Sequence, residues 1–418
     1  MRVVIFFACI ILLSACVSRD AKQAKYVDDL VQSYDGLNII GMALSPDGRY
    51  LAVDTAEQYS LSDGLIRTKR VFITLYDLQK SEAKILNPLR VMTYGVGAHS
   101  PSFDLSGRYM VMVTDCYRPD ISICDEVRYG SQIISMDLSA GDVEQISSAE
   151  MKHITWGYRW GSQSSSKSLP MKGSSLVKGG ALLAPGGDVI YYLMSNGAYG
   201  SRFYNRQFGA LFELRTLERK KDAAGDWEWQ ERPVITEDRG VTSFEGYGRL
   251  SITDTGRLLL STNGLLGKDR EFYKKRDVNA VFIEPETEKV SIAFDAINTP
   301  KIMDPKTKTL TDTRSYQHVM SSDGKRIAML RGWGERIILF EDGKFLDFLT
   351  ASDVGAGRFS GLEMSANGEW ISFFMAKEKK HTDRGEYVWL VNVTSKEIRK
   401  FPLRSVIRQE LNQITNDQ

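Results

Sequence analysis

The sequence predicts an all-β fold, a six-bladed β-propeller of four-stranded antiparallel blades, and three observations indicate it. A glycine-centred hairpin pattern occurs six times along the chain. Each copy is followed by two further apolar runs that a short polar turn separates, which is typical of two more strands. Helical periodicity is almost absent between the copies, which excludes an α/β sheet. A single sandwich would not need six copies of one hairpin.

The repeated hairpin begins with "SPDGRYLAV" at Ser45 and continues with five related segments, "DLSGRYMVM", "APGGDVIYY", "TDTGRLLLS", "SSDGKRIAM" and "SANGEWISF". In the first copy, Pro46 fixes φ in the turn and Gly48 can adopt the left-handed conformation that the turn requires. An apolar residue precedes each glycine by four positions, and another follows it by three. The pattern predicts two strands that each bury a side chain beside the turn. The six glycines are Gly48, Gly107, Gly187, Gly256, Gly324 and Gly368.

The second strand pair of each unit is predicted from apolar runs such as "VFITLYDL", "SQIISMDL" and "YVWLVNVT". Turns such as "PETE" and "TSKE" lead from these runs into a fourth strand. The glycines are spaced by 59, 80, 69, 68 and 44 residues, a size that suits four-stranded blades. WD-repeat propellers fit this spacing less well, and the chain contains no Gly-His and Trp-Asp signature.

The N-terminus predicts export and a lipid anchor. Arg2 precedes the apolar run Val3 to Leu13, which is too short to span a bilayer but suits a secretory signal. The following Leu-Ser-Ala-Cys, which ends at Cys16, resembles the lipobox of bacterial lipoproteins. The alternative is an ordinary signal peptide that contains a cysteine. Val17 is not the aspartate that retains enterobacterial lipoproteins in the inner membrane, so the resemblance implies the outer membrane, with the protein facing the periplasm.

Charge and cysteine content define the protein class further. The formal net charge is +1, and 26% charged with 42% hydrophobic residues is typical of a folded globular protein. This balance argues against binding to nucleic acid and against a polybasic membrane surface. Cys116 and Cys124 remain after removal of the signal peptide and lipidation, and we expect them to form a local disulfide in an oxidising compartment. A metal site is the less favoured alternative.

The hairpin pattern resembles the repeat of TolB-type propellers, which also builds the non-catalytic propeller of prolyl oligopeptidase relatives. The resemblance covers residues 37 to about 403. It implies a propeller used for binding, and it transfers no site residues. The chain has no room for the additional N-terminal domain of TolB, and the sequence contains no G-x-S-x-G nucleophile elbow of the peptidases.

These observations divide the chain into a signal peptide, a lipidated tether with a short helix, the propeller and a C-terminal tail, with bounds 1–15, 16–36, 37–403 and 404–418. A helix is predicted within Ala24 to Gly36, and another within Ser405 to Ile414. The ring could close through an N-terminal strand that completes blade six. Alternatively, blade six could contain all four of its own strands.

No catalytic residue, cofactor motif or metal site is predicted from the sequence. The histidines are scattered singly, without the spacing that metal ligands require, at His99, His153, His318 and His381. Asp115, Asp120 and Asp125 could provide oxygen ligands for calcium, although EF-hand spacing is absent. A site in the central channel, built from dispersed residues, stays open as an alternative.

The best candidate for recognition is the long interval between the second and third hairpins. It contains three alternating aromatic residues, which would point to one side of an extended strand. A second aromatic cluster with nearby arginines follows the third hairpin. Exposed, such residues would bind a protein partner or the faces of sugars; buried, the first group would form the inner strand of blade three. The candidate binding residues are Trp156, Tyr158, Trp160, Tyr199, Arg202 and Tyr204.

Three functions are compatible with this interpretation. The leading hypothesis is a non-enzymatic outer-membrane lipoprotein whose propeller binds a protein partner of an envelope complex. The second is a glycan or peptidoglycan binder that uses the aromatic residues. The third is a lyase or hydrolase with its site in the central channel.

Overall fold

The computed structural model describes residues 36–416 with internal gaps. The gaps are at 61–65, 87–95, 117–129, 139–141, 146–175, 196–210, 222, 226, 234–242, 246–249, 263, 267–277, 296–301, 304–309, 312–314, 332–333, 356 and 377–385.

The first three blades each contain four antiparallel strands, as the sequence predicts. Blade one contains β1 (Gly36–Leu44), β2 (Tyr50–Ser60), β3 (Ile66–Asp77) and β4 (Glu82–Leu86). Blade two contains β5 (Val96–Phe103), β6 (Tyr109–Cys116), β7 (Gly130–Asp137) and β8 (Asp142–Gln145). Blade three contains β9 (Leu176–Leu183), β10 (Val189–Ser195), β11 (Leu211–Lys221) and β12 (Trp227–Pro233).

Short additional strands lie around blade four. β13 (Ser243–Glu245) precedes that blade, which contains β14 (Leu250–Ile252), β15 (Leu258–Ser261), β17 (Val278–Glu284) and β18 (Lys289–Asp295). β16 (Gly264–Leu266) follows β15 and pairs with β13, which in turn pairs with β11 of blade three. β19 (Ile302–Met303) and β20 (Leu310–Thr311) form a small separate hairpin.

The last two blades complete a six-bladed propeller. Blade five contains β21 (Ser315–Met320), β22 (Arg326–Arg331), β23 (Arg336–Glu341) and β24 (Lys344–Thr350), followed by helix α1 (Ala351–Val354). Blade six contains β25 (Arg358–Met364), β26 (Trp370–Ala376), β27 (Tyr387–Asn392) and β28 (Ile398–Pro402). Helix α2 (Arg404–Asn416) ends the described chain and confirms the predicted C-terminal helix. The predicted N-terminal helix lies outside the described residues.

The inner hairpins have the predicted geometry. All six repeat glycines have positive φ, between 68° and 82°, which is the left-handed conformation that the turn requires. The apolar residues three positions after them are all buried, as at Leu51 and Ile327. In blade one, Leu44 pairs directly with Leu51 across the hairpin. Blade four differs, because its hairpin is one residue shorter and Ile252 therefore pairs with Leu258.

A side-chain hydrogen bond closes five of these turns. The first turn residue supplies an oxygen that accepts a hydrogen bond from a backbone N–H four or five residues later, for example from Tyr50 to Ser45 Oγ at 2.7 Å. This bond explains why the repeat begins with a short polar residue, since such side chains satisfy turn backbone locally. The equivalent residue in blade three is Ala184, which has no oxygen to offer.

The core consists of apolar layers between neighbouring blades. Met110 of blade two packs in one layer with Ile73 of blade one, and Leu259 of blade four packs in another with Met329 of blade five. Further layers join blades two and three and blades three and four. A single larger cluster joins blades five, six and one, and it includes Ile407 of α2. The ring is therefore stabilised mainly by burial between blades.

Blade six contains all four of its strands, so an N-terminal strand does not complete it. Contacts between blades six and one close the ring. The backbone N–H of Ala366 donates to the carbonyl oxygen of Pro46 at 3.1 Å. Arg404 at the start of α2 donates from its guanidinium to the carbonyl oxygen of Leu37 at 2.7 Å. Helix α2 thus fastens the end of the propeller to its first strand.

Candidate binding face

The two ends of the propeller differ in the length of their connections. The end that we call the turn face carries the turns between strands one and two and between strands three and four of each blade. These are short, as at Asp342–Gly343 between β23 and β24. The opposite end, the loop face, carries the connections between strands two and three and between blades. The long stretches 117–129, 146–175 and 196–210 all begin and end at the loop face.

Ion pairs lie beside several turns of the turn face. Arg49 lies 3.0 Å from Asp77, and Arg326 lies 2.6 Å from Glu341, each pair joining the start of a second strand to the end of a third. Partial burial opposes ionisation of Asp77, but hydrogen bonds from Arg49 and from two backbone N–H groups lower its pKa. Solvent-accessible pairs of this kind stabilise a fold only modestly. They link the start of a second strand to the end of a third and so help to fix the geometry of the turns.

Strand register brings the ends of two predicted binding segments together on the loop face. Ser195 at the end of β10 pairs with Leu176 at the start of β9 and with Phe212 of β11. Residues in such antiparallel pairs lie about 5 Å apart between Cα atoms. The strand residues that flank these segments, Leu176, Ser195 and Phe212, are therefore neighbours in blade three. This juxtaposition is not apparent from the sequence, because the segments are separated by the whole inner hairpin.

The six candidate binding residues lie outside the described residues. The inner strand of blade three is β9 (Leu176–Leu183), which pairs with β10. The assignment of the six residues to a binding surface stays a prediction.

The predicted lipidation site, Cys16, also lies outside the described residues. Cys116 ends β6, whereas Cys124 lies within 117–129, so the disulfide stays a prediction. Asp115 is in β6, and the other two aspartates of the possible calcium site are not described. Among the described residues, no group of three or more histidine, cysteine or acidic side chains is placed to hold a metal ion. None of the described helices has the length and apolar character that crossing a membrane requires.

A buried pair of hydrogen-bonded side chains, Ser261 and His318, joins blades four and five. His318 Nδ1 lies 3.1 Å from Ser261 Oγ, and the same oxygen accepts a hydrogen bond from the backbone N–H of His318 at 3.0 Å. The imidazole stacks on Phe294, with ring centroids 5.7 Å apart and planes at 6°. Burial, together with the nearby charge of Arg331, lowers the pKa of His318 to about 3.

This pair is a structural contact. His318 is fully buried and its imidazole is neutral at physiological pH, so the group fills the layer between two blades and does not face solvent. Serine and histidine alone also lack the orienting third group of a hydrolase triad among the contacts described for them. Sequence patterns could not reveal the pair, since its members are separated by 57 positions.

Neither a family model nor a curated protein sequence matches this chain. Solved structures with a similar fold include TolB from Acinetobacter baumannii, with 11% identity, a TM-score of 0.44 and coverage of 89% of this chain and 65% of that one. An oligogalacturonate lyase from Vibrio parahaemolyticus has 10% identity and a TM-score of 0.44, and the match covers 88% of this chain and 80% of the lyase.

A third similar structure is an acylaminoacyl peptidase from Pyrococcus horikoshii, with 12% identity and a TM-score of 0.44; the match covers 90% of this chain and 46% of that one. This chain therefore spans less than two thirds of the length of both the TolB and the peptidase. TolB, a lyase and a peptidase all have this likeness at identities of 10–12%, so nothing about the function of this chain follows from them.

Proposed function

We propose that this chain is a lipid-anchored protein of the bacterial outer membrane, facing the periplasm, whose propeller binds a protein partner of an envelope complex without catalysing a reaction. The anchor would be Cys16, and the binding surface would be the loop face above blades two and three. No nucleic acid is involved in this proposal, since the charge of the chain is balanced.

The observation that carries the proposal is the contrast between the two faces. The turn face carries short turns with ion pairs such as Arg49 with Asp77, whereas the long connections that contain the aromatic residues begin and end on the loop face. Binding residues concentrate on loops that a rigid scaffold positions, and aromatic side chains are enriched in protein interfaces. Both properties favour the loop face as the recognition surface.

Lipidation can be tested with two single substitutions. We expect Cys16→Ser to abolish incorporation of a labelled fatty acid, because the thiol carries the lipid. Cys9→Ser is the matched control, since Cys9 lies inside the apolar run and is removed with it. Fatty-acid labelling of Cys16→Ser at the level of the unaltered protein would refute the anchor.

The partner can be sought by crosslinking the full-length protein in cells and identifying what co-purifies. We expect a reproducible envelope protein that is lost when residues 156–172 are deleted, while the thermal unfolding midpoint of the purified variant stays unchanged. A blank result, combined with quenching of tryptophan fluorescence by cell-wall fragments, would replace the protein partner with a glycan. Capture that is independent of the deletion would place recognition elsewhere on the propeller.

A further inference from the structure

The junction between blades six and one, which closes the ring, contains buried hydroxyl groups. Thr55 of β2 and Thr74 of β3 are fully buried, and neither Oγ1 has a hydrogen-bond partner among the described residues. Ser372 of β26 is also fully buried, and its Oγ has no partner in the described part of the chain either. A buried hydroxyl without a hydrogen bond costs free energy, so native proteins satisfy such groups with protein atoms or with water.

Strand register places the two threonines beside each other. Thr74 pairs with Val53 of β2. Thr55 follows Val53 by two positions, so the two threonines are diagonal neighbours on one face of blade one. Diagonal neighbours in an antiparallel sheet lie about 7–8 Å apart between Cα atoms, and their side chains approach more closely. A single water molecule can therefore form hydrogen bonds to both hydroxyls.

This face of blade one meets blade six. Tyr76 lies two positions after Thr74 in β3, and its ring centroid is 6.3 Å from that of Phe401 in β28. The neighbouring apolar side chains of blade one pack in one cluster with those of blade six. Because alternate residues of a strand share a face, Thr55 and Thr74 lie at the junction together with these apolar side chains.

Ser372 lies on the opposing surface. Trp370, two positions earlier in β26, contacts blade one, since a Cβ atom added at Gly48 would lie 3.2 Å from the indole ring. Ser372 is on the same face of the strand as Trp370 and therefore also faces blade one. All three hydroxyls thus lie between the first and last blades of the ring.

The hairpin repeat does not itself require a hydroxyl at these positions. The residue four positions after the repeat glycine is Ser372 in blade six, but it is Ala52 in blade one and Ala328 in blade five. Thr74 pairs with the residue five positions after its glycine, and the corresponding residue of β23 in blade five is Ile338. Apolar side chains therefore fit these places elsewhere in the ring, and the hydroxyls are a feature of the closing junction.

We propose that the closing junction binds internal water, held by Thr55 and Thr74 on blade one and by Ser372 on blade six. Water suits these groups because a hydroxyl both donates and accepts, and buried water typically bonds to polar groups that the protein leaves unsatisfied. Hydrogen bonds are directional, so the bound water adds an orientation-dependent contact to the apolar packing between the first and last blades. The site requires neither the lipid anchor nor a partner and goes beyond the proposed function.

Isosteric substitutions test the proposal by the direction of the change in stability. Thr55→Val and Thr74→Val each remove a hydroxyl and keep the shape of the side chain. If the hydroxyls bind water, each variant loses hydrogen bonds, and the equilibrium constant for unfolding in urea should rise about fivefold. If the hydroxyls are dry, the substitutions remove a buried unsatisfied group and should lower that constant. An unchanged or lowered constant in both variants would overturn the proposal.

Oxygen-17 magnetic relaxation dispersion on the full-length protein counts long-lived internal water directly. The double variant Thr55→Val/Thr74→Val should hold at least one such molecule fewer than the unaltered protein. Ser261→Ala is the matched control, because this buried hydroxyl already accepts a hydrogen bond from the backbone N–H of His318. The control should be destabilised and keep the full count of internal water. The same count in the double variant and the unaltered protein would show that the threonines bind no water.

Discussion

Replacing Gly334 with alanine is expected to lower the free energy of unfolding by roughly 3–4 kcal/mol, because two penalties combine. Gly334 lies between β22 and β23 with φ of 87°, a conformation that costs an L-residue energy. A Cβ atom there would lie 2.3 Å from the carbonyl oxygen of Phe359 in blade six. The clash is with backbone, which cannot change rotamer as a side chain can. The backbone around Phe359 or Gly334 must therefore move.

Gly343 supplies the matched control on the other side of the same strand, between β23 and β24. Its φ of 74° is similar, but a Cβ atom there would meet nothing within 4 Å. Gly343→Ala should therefore cost only the conformational penalty, about 1 kcal/mol. Denaturant unfolding followed by tryptophan fluorescence would measure both variants. Equal destabilisation would contradict the close approach of Gly334 to blade six.

Acidification is expected to weaken the propeller through His318. Burial lowers the pKa of this imidazole from 6.5 to about 3. Between these two pH values, His318 therefore stays neutral in the folded protein but binds a proton in the unfolded chain. Because the unfolded state takes up the proton, the contribution of His318 to the free energy of unfolding is fully present above pH 6.5 and is lost progressively as the pH falls to about 3. Between pH 7 and pH 5 this single group should remove about 2 kcal/mol.

The contribution of His318 can be isolated with His318→Gln, which keeps a polar side chain but does not titrate. The variant should be less stable at pH 7, because it loses the stacking on Phe294 and the fit to Ser261. Its disadvantage relative to the unaltered protein should shrink by about 2 kcal/mol on going to pH 5. Urea unfolding at the two pH values measures this difference. If the difference in unfolding free energy between the variant and the unaltered protein were the same at both pH values, His318 would titrate normally in the folded protein.

The repeated hairpin could be predicted from sequence because its signals are local. Turn residues, a glycine with positive φ and flanking apolar positions all lie within about nine residues, and the six copies reinforce one another. The closing hydrogen bond was also encoded there, in the recurring short polar residue at positions such as Ser45 and Ser321. The exception, Ala184 in blade three, is visible in "APGGD".

Features that depend on neighbouring blades could not be predicted. The pair between Ser261 and His318 joins two blades, and neither residue belongs to a local motif. Closure of the ring depends on a turn contact between Ala366 and Pro46 and on a guanidinium that reaches from α2 to β1. Pairing of Ser195 with Leu176 likewise follows from register and not from the aromatic pattern itself.

Site-specific photocrosslinking in cells tests the proposed binding face most directly. A photoreactive amino acid would be placed at Tyr199, within the connection 196–210, and separately at Lys325 on the turn face, where 74% of the side chain is exposed. We predict an adduct with an envelope protein from position 199 and none from position 325. An adduct from position 325 alone, or equal adducts from both positions, would contradict recognition through the loop face.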